Sequence, residues 1–179
     1  MTNLDRMRWP QVLIALGVSL GIAVLLNWAI LTLLGQKSAE RAEHSLIGII
    51  LLMAYVSRFI ETQATRLGAL TFFLLALIPC YLGTVFPDLD IRLLGIGAHR
   101  NPLFHSSLSF LVLWGLVKRR GVMLQVLVLG YGIGLASHLL WDMVDYGDVR
   151  WLPGGMVDRL WLGANGVMCL VPLVAKGQR

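Results

Sequence analysis

Residues 121–144 read GVMLQVLVLGYGIGLASHLLWDMV, an apolar run that carries no charge until Asp142. About 20 apolar residues suffice to cross hydrocarbon as a helix, and this run exceeds that length. In such a helix His138 and Asp142 stand at i and i+4, one turn apart on one face. Hydrocarbon normally excludes both groups. The run therefore reads as a membrane helix that carries a polar site near its end.

The rest of the chain fits that reading. Of its 179 residues, 57% are hydrophobic and 14% are charged, against about a quarter charged in soluble proteins. Six apolar segments can be drawn, at about Pro10 to Leu34, His44 to Ser57, Leu67 to Phe86, Leu103 to Val117, Gly121 to Val144 and Leu160 to Val174. The second and fourth are nearer the length of partial helices than of full crossings. The expected fold is all-α, a polytopic membrane helical bundle of about six (four to six) transmembrane or partial helices, with four or five true crossings as the alternative to six. The first run is too long for the core of a cleavable signal peptide and is expected to remain as a helix. Glycines recur along the helices, as at Gly17 and Gly21, at Gly130, Gly132 and Gly134, and at Gly163 and Gly166, the pattern of close packing through small faces. Cys80 and Cys169 lie within apolar runs and are expected to behave as small hydrophobes, neither disulfide partners nor ligands.

The net charge of +5 does not point to nucleic acid, because the basic residues sit at helix ends and form no stripe interleaved with aromatics. They read as topology signals. Counted by face, nine Lys and Arg fall with the two termini and the second and fourth connections, and six fall on the other side. Positive residues are retained in the cytoplasm, so both termini are expected there. Of the acids, Asp5 and Glu61 fall on the inner face. Glu40, Glu43, Asp88, Asp90, Asp142, Asp145, Asp148 and Asp158 fall on the outer one.

Carboxylates gathered on one face are what a cation site requires. Asp88 and Asp90 follow Pro87 at the end of the third run, where proline marks a helix end. Pro102 reads as a helix start, which places His105 in the first turn of the next helix and His99 in the loop before it. Each residue also has a plainer reading. His44 alone suits a hydrogen-bonded core histidine, Asp142 a cap or a partner of Arg150, and Arg100 an interface anchor. Asp145, Asp148 and Asp158 read most simply as a solvated rim. A metal is favoured by coincidence: several costly ionisable groups on separate segments at one membrane depth.

Leu82-Gly83-Thr84-Val85-Phe86-Pro87-Asp88-Leu89-Asp90, His99-Arg100 with His105-Ser106, and Ser137-His138 with Asp142 resemble the motifs of the YdjM-like membrane-bound metal-dependent hydrolases, a LexA-regulated inner-membrane family. The similarity covers about Glu43 to Pro153, and His44-Ser45-Leu46-Ile47-Gly48 resembles that family's histidine-plus-glycine helix start. It implies a leading segment, residues 1–42, with the first transmembrane helix, and a helical membrane domain, residues 43–179. It implies His44, Asp88, Asp90, His99, His105, His138 and Asp142 as metal ligands or catalytic groups; Asp88, His99 and His105, with Arg100 beside them, are the expected catalytic residues. A bacterial inner-membrane location is implied as well. The chain departs from the family pattern at Asn101 and Phe104, where a glycine and a threonine are usual.

Mixed imidazole and carboxylate ligands suit Zn, Mn, Fe or Co, and seven candidates exceed the needs of one tetrahedral ion, so one or two divalent ions are expected. Two ions would acidify a water and hold the entering and leaving oxygens of an ester. Arg100, beside His99, is placed to bind an anion such as phosphate. The expected activity is hydrolysis of a phosphoester or related bond in a membrane lipid or lipid-linked substrate. One alternative is a divalent metal carrier or a metal-stabilised scaffold. A second is a metal-free lipid phosphatase with a histidine nucleophile, since the His138 to Asp142 spacing is similar to the last motif of the phosphatases related to phosphatidic acid phosphatase. Their Lys/Arg-Pro and Ser-Gly-His motifs are absent here, as is the His-Glu-x-x-His of an intramembrane zinc protease.

Overall fold

The computed structural model describes residues 39–62, 66–145 and 147–176, and every regular element among them is helical. The elements are α1 (Ala39–Thr62), α2 (Arg66–Val85), α3 (Leu89–Leu94), a 3-10 turn (Ile96–Ala98), α4 (Leu108–Val117), α5 (Val122–Asp145) and α6 (Met156–Lys176). The apolar segment expected at residues 10–34, with Gly17 and Gly21, lies outside the described residues.

The central helix is α5, which packs against α1, α2, α4 and α6, and its residues from Gly132 to Leu139 are all buried. Glycine is what allows the closest of these contacts. A Cβ built on Gly134 would stand 1.8 Å from the Cys80 carbonyl oxygen, one on Gly83 2.1 Å from that of Tyr131, and one on Gly130 2.5 Å from that of Ala76. The backbones of α2 and α5 therefore touch along a seam that no side chain could enter. Gly163 and Gly166 play a milder part, since their added carbons would meet the side chains of Met143 and Leu140.

Two apolar clusters flank the seam. Leu52, Phe72, Phe73, Leu77, Val126 and Ile133 fill the space between α1, α2 and the first half of α5. Phe110, Leu135, Leu139, Leu162 and Cys169 join α4, the second half of α5 and α6. Cys80 and Cys169 are buried and unbridged, in separate clusters.

The short connection between α4 and α5 turns the chain back on itself at one end. The long connections, residues 86–107 and 147–155, share the opposite end with the start of α1 and the last turns of α5. That shared end holds the polar residues.

Several boundaries differ from the expected ones. α1 begins at Ala39, ahead of the expected start at His44, because Ala39-Glu40-Arg41-Ala42-Glu43 are strong helix formers. Asp90 lies within the short helix α3, so the chain turns helical again directly after the end that Pro87 marks. The fourth segment becomes helical at Leu108 and not at Leu103, so His105 precedes the helix and is not in its first turn. Asn101 accounts for the delay. Its carbonyl accepts from the backbone N–H groups of Phe104 and His105 (3.1 and 2.8 Å), and its side-chain oxygen accepts from Leu103 N–H (2.9 Å). A side-chain-fastened turn competes with helix at such a residue.

Among the described residues α5 is the one helix long and apolar enough to cross a bilayer; His44–Ser57, Ala69–Val85 and Leu108–Val117 are shorter apolar stretches.

Candidate metal centre

His138 occupies the last buried turns of α5, where the glycine seam brings the end of α2 against it. Its Nδ1 lies 2.7 Å from the Thr84 carbonyl oxygen. A carbonyl can only accept, so Nδ1 carries the proton and donates. In the neutral ring the Nε2 lone pair then faces Asp142 Oδ2 at 3.3 Å and Asp88 Oδ1 at 4.0 Å. Fixing one imidazole nitrogen to a carbonyl is the way a ligand histidine is oriented from behind.

Asp142 is the hub. Its Oδ1 stands 3.6 Å from His44 Nε2 and its Oδ2 3.5 Å from His105 Nε2, besides the contact with His138. The alternative in which Asp142 serves Arg150 is thereby corrected, because both of its oxygens point into the histidine cluster. His44, now in the second turn of α1, stacks on His138 with ring centroids 4.0 Å apart and planes 10° apart. The Ser137 hydroxyl donates to the Gly134 carbonyl (2.7 Å) and lies 3.4 Å from that of His44.

Asp90, fully buried, receives Asn101 N–H at 3.0 Å. His99 Nδ1 stands 3.3 Å from it and His105 Nδ1 3.4 Å. Burial works to raise the Asp90 pKa, but the His105 ring, the Asn101 N–H and His99 outweigh it and hold the acid at about 2. Burial also lowers the His105 pKa, against the opposing pull of Asp90, and so favours the neutral ring. His105 itself is tied in place by Trp161 of α6, whose indole N–H donates to its carbonyl at 2.9 Å.

All seven expected ligands thus lie in one cluster. They divide into an inner trio of His44, His138 and Asp142, all buried, and an outer trio of Asp88, His99 and His105, two of them half-buried. Within each trio the donor atoms lie within 4.8 Å of one another. Asp90 links His99 to His105, and Asp142 links the two trios.

The donor set fits cations. Nitrogen-to-oxygen separations of 3.3–3.6 Å recur here. Charge-assisted hydrogen bonds are shorter, about 2.7–2.9 Å. Two ligands each about 2.1 Å from a shared ion stand roughly 3.0–3.4 Å apart. His105 is the sharpest case, since it is fully buried and neither of its ring nitrogens has a hydrogen bond of good geometry. Nor does His44 Nδ1. Asp90 and Asp142 place two carboxylates in a buried space, a costly arrangement without cations.

Arg100 borders this cluster. It lies between His99 and Asn101, both bonded to Asp90, and takes a left-handed backbone with φ +61°. For a residue with a Cβ that conformation costs roughly 1–2 kcal/mol. Its carbonyl accepts from Arg150 N–H at 3.0 Å, and its guanidinium pairs with Asp148.

Several parts of the site carried weaker signals in the sequence. Thr84 acts through its backbone carbonyl, so its side chain announces nothing. Asn101 stood out only as a departure from the family pattern. Asp158, expected on a solvated rim, is 1% exposed and accepts from the backbone N–H groups of Val149 (2.7 Å) and Gly154 (2.8 Å), which ties down the connection after α5. An acid in the first turn of a helix after Gly154-Gly155 was the available clue.

Residues 66–178 match the family described as Domain of unknown function (DUF5942), and the chain belongs to that family. The matched stretch holds Asp88, Asp90, His99, His105, His138 and Asp142, while His44 lies ahead of it. No curated protein and no solved structure matches the chain.

Proposed function

We propose that this member of the DUF5942 family is a membrane-embedded, metal-dependent hydrolase acting on a phosphoester or related bond of a lipid or lipid-linked substrate. The observation that carries the reading is His138: its Nδ1 is committed to the Thr84 carbonyl, and its Nε2 faces two carboxylates. The resemblance of the same segments to the YdjM-like hydrolases supports it independently of the geometry.

The inner trio would hold one ion and the outer trio a second, with Asp142 and Asp90 supporting both; Zn, Mn, Fe and Co suit these donors. A divalent ion there would supply Lewis acidity and make water acidic enough to attack at neutral pH. Asp88 and His99, with side chains 16% and 29% exposed, stand where substrate would reach the cluster. They are the groups suited to orient a water and pass a proton to a leaving oxygen. His105, with no exposure, positions ligands and stays clear of the substrate. Arg100 offers a fork of donors to the anionic part of the substrate.

A polytopic bundle in a bacterial inner membrane, with cytoplasmic termini, accommodates this chemistry. The length of α5 supports it, as do the exposed apolar flanks of α2 (Leu70, Leu74, Ile78) and α4 (Leu111, Val112, Leu116). A metal carrier would need polar groups along the bundle axis. Among the described residues the far half of the core is apolar, with Leu52, Val56, Phe72, Phe73 and Leu129, and its polar exception, Gln125, is spent on the carbonyls of Lys118 and Arg120.

Elemental analysis of the purified full chain tests the premise, with one to two transition-metal ions per chain expected. Release of phosphate from phosphatidic acid or a prenyl phosphate in mixed micelles, abolished by chelator and restored by metal, tests the activity. Protein that binds no metal and leaves these substrates intact after metal addition overturns the proposal.

A further inference from the structure

The polar end of the molecule carries a second feature beside the histidine cluster. Arg100 is held by its neighbours on both sides, through His99 and Asn101, to the buried carboxylate of Asp90. Its carbonyl fixes the backbone of Arg150. The Arg150 guanidinium lies over the 3-10 turn, where a Cβ on Gly97 would stand 3.8 Å from it. The backbones of two arginines are therefore fastened to one another beside the cluster. The group paired with Arg100 is the carboxylate of Asp148, whose side chain is 67% exposed while that of Arg100 is 14% exposed. An exposed carboxylate at the end of a short side chain is the cheaper partner to remove, because water replaces what it loses.

We propose that Arg100 and Arg150 form an anion site for a phosphate ester, and that the Asp148 carboxylate holds the phosphate's place on Arg100 until substrate displaces it. The identity of this anion as the substrate's own phosphate rests on the hydrolase reading; the anion site itself does not. A planar guanidinium receives carboxylate and phosphate oxygens through the same fork of donors, so one can exchange for the other without moving the arginine. Ile96, Leu93 and Trp151 are 74%, 67% and 71% exposed on the segments that carry the two arginines. Apolar and tryptophan side chains around a cationic mouth suit a phosphate borne on an acyl or prenyl chain at a membrane surface.

The test uses the full chain in phosphatidylcholine nanodiscs, with and without chelator, and two probes: inorganic phosphate by calorimetry, and phosphatidic acid incorporated in the disc. Asp148→Asn should bind the probe about threefold or more tightly than wild type, the scale of one exposed ion pair removed. Asp148→Lys should bind at least as tightly as Asp148→Asn, Arg100→Gln should weaken binding, and Arg150→Gln should do so by less. The Asp148 variants alter an exposed residue, so they separate the effect from folding. Tighter binding of inorganic phosphate identifies the ligand as a free phosphate ester; tighter binding confined to phosphatidic acid identifies a lipid headgroup. Asp148→Asn binding both probes no better than wild type overturns the inference, even if the enzyme is metal-loaded and active. The Asp148 effect in a protein that holds no metal and cleaves nothing would leave the anion site standing and remove the hydrolase reading.

Discussion

The two donor trios use the same residue types and differ in what holds them. His44, His138 and Asp142 stand on α1 and α5 and are oriented through the glycine seam, which brings the Thr84 carbonyl to His138. Asp88, His99 and His105 stand on the connection between α2 and α4, fastened by Asp90, Asn101 and Trp161. The first is a helix-packing product and dry; the second is a product of local hydrogen bonds and half-open. If the proposed ions are bound, a rigid, buried set should retain one and a loop-borne set should exchange it.

Asp142→Ala should erase the distinction altogether, since this residue faces His44, His105 and His138. Metal content by elemental analysis should fall to background. Retention of one full ion by this variant would mean that the trios are independent.

Gly134→Ala should reach the inner trio through packing alone. A methyl group 1.8 Å from the Cys80 carbonyl forces α2 and α5 apart, at a cost above the about 1–3 kcal/mol of ordinary overpacking. Thermal unfolding should move down sharply, with loss of the tightly held ion. Gly115→Ala on α4, where the added carbon meets nothing within 4 Å, should be neutral or stabilising by up to about 1 kcal/mol. Equal behaviour of the two variants would contradict the seam.

His138→Ala and His99→Ala sharpen the comparison directly. The first should remove the slowly exchanging ion. The second should leave it and weaken the other by at least the about 10–100-fold that loss of a supporting partner costs. Competition with a fluorescent chelator reads both.

Asp158→Asn should act on the connection after α5, with about 1–3 kcal/mol lost from two buried backbone bonds. Faster amide exchange confined to residues 147–155 is the expected signature, with metal content unchanged.

Acid gives the smallest separable effect. Asp90, held at about 2 against an ordinary 3.8, contributes stability that is fully present above the ordinary value and is lost as the pH falls through about 2. Metal release on mild acidification should therefore track protonation of imidazoles, and Asp90→Asn should move its midpoint to higher pH, because the outer trio loses the carboxylate that links His99 to His105.

Helix positions were legible where apolar runs are long, as in α2 and α5. They failed at residues 86–107, where Asn101 and Asp90 exchange bonds that no hydropathy pattern contains. The candidate ligands were legible because imidazoles and carboxylates are conspicuous in apolar sequence. Asp158 was misread for the same reason, since its burial is compensated by backbone N–H groups that appear only once the chain has turned.

Sequence by itself determined that the chain is helical and apolar and that its costly polar groups fall near the ends of its runs, because composition and period act locally. Tertiary structure alone decided that these groups meet, which of them Asp142 joins, and that Arg100 faces Asp148. Those depend on backbones approaching across a glycine seam and on connections folding over one end, and both are set by contacts between residues distant in the chain.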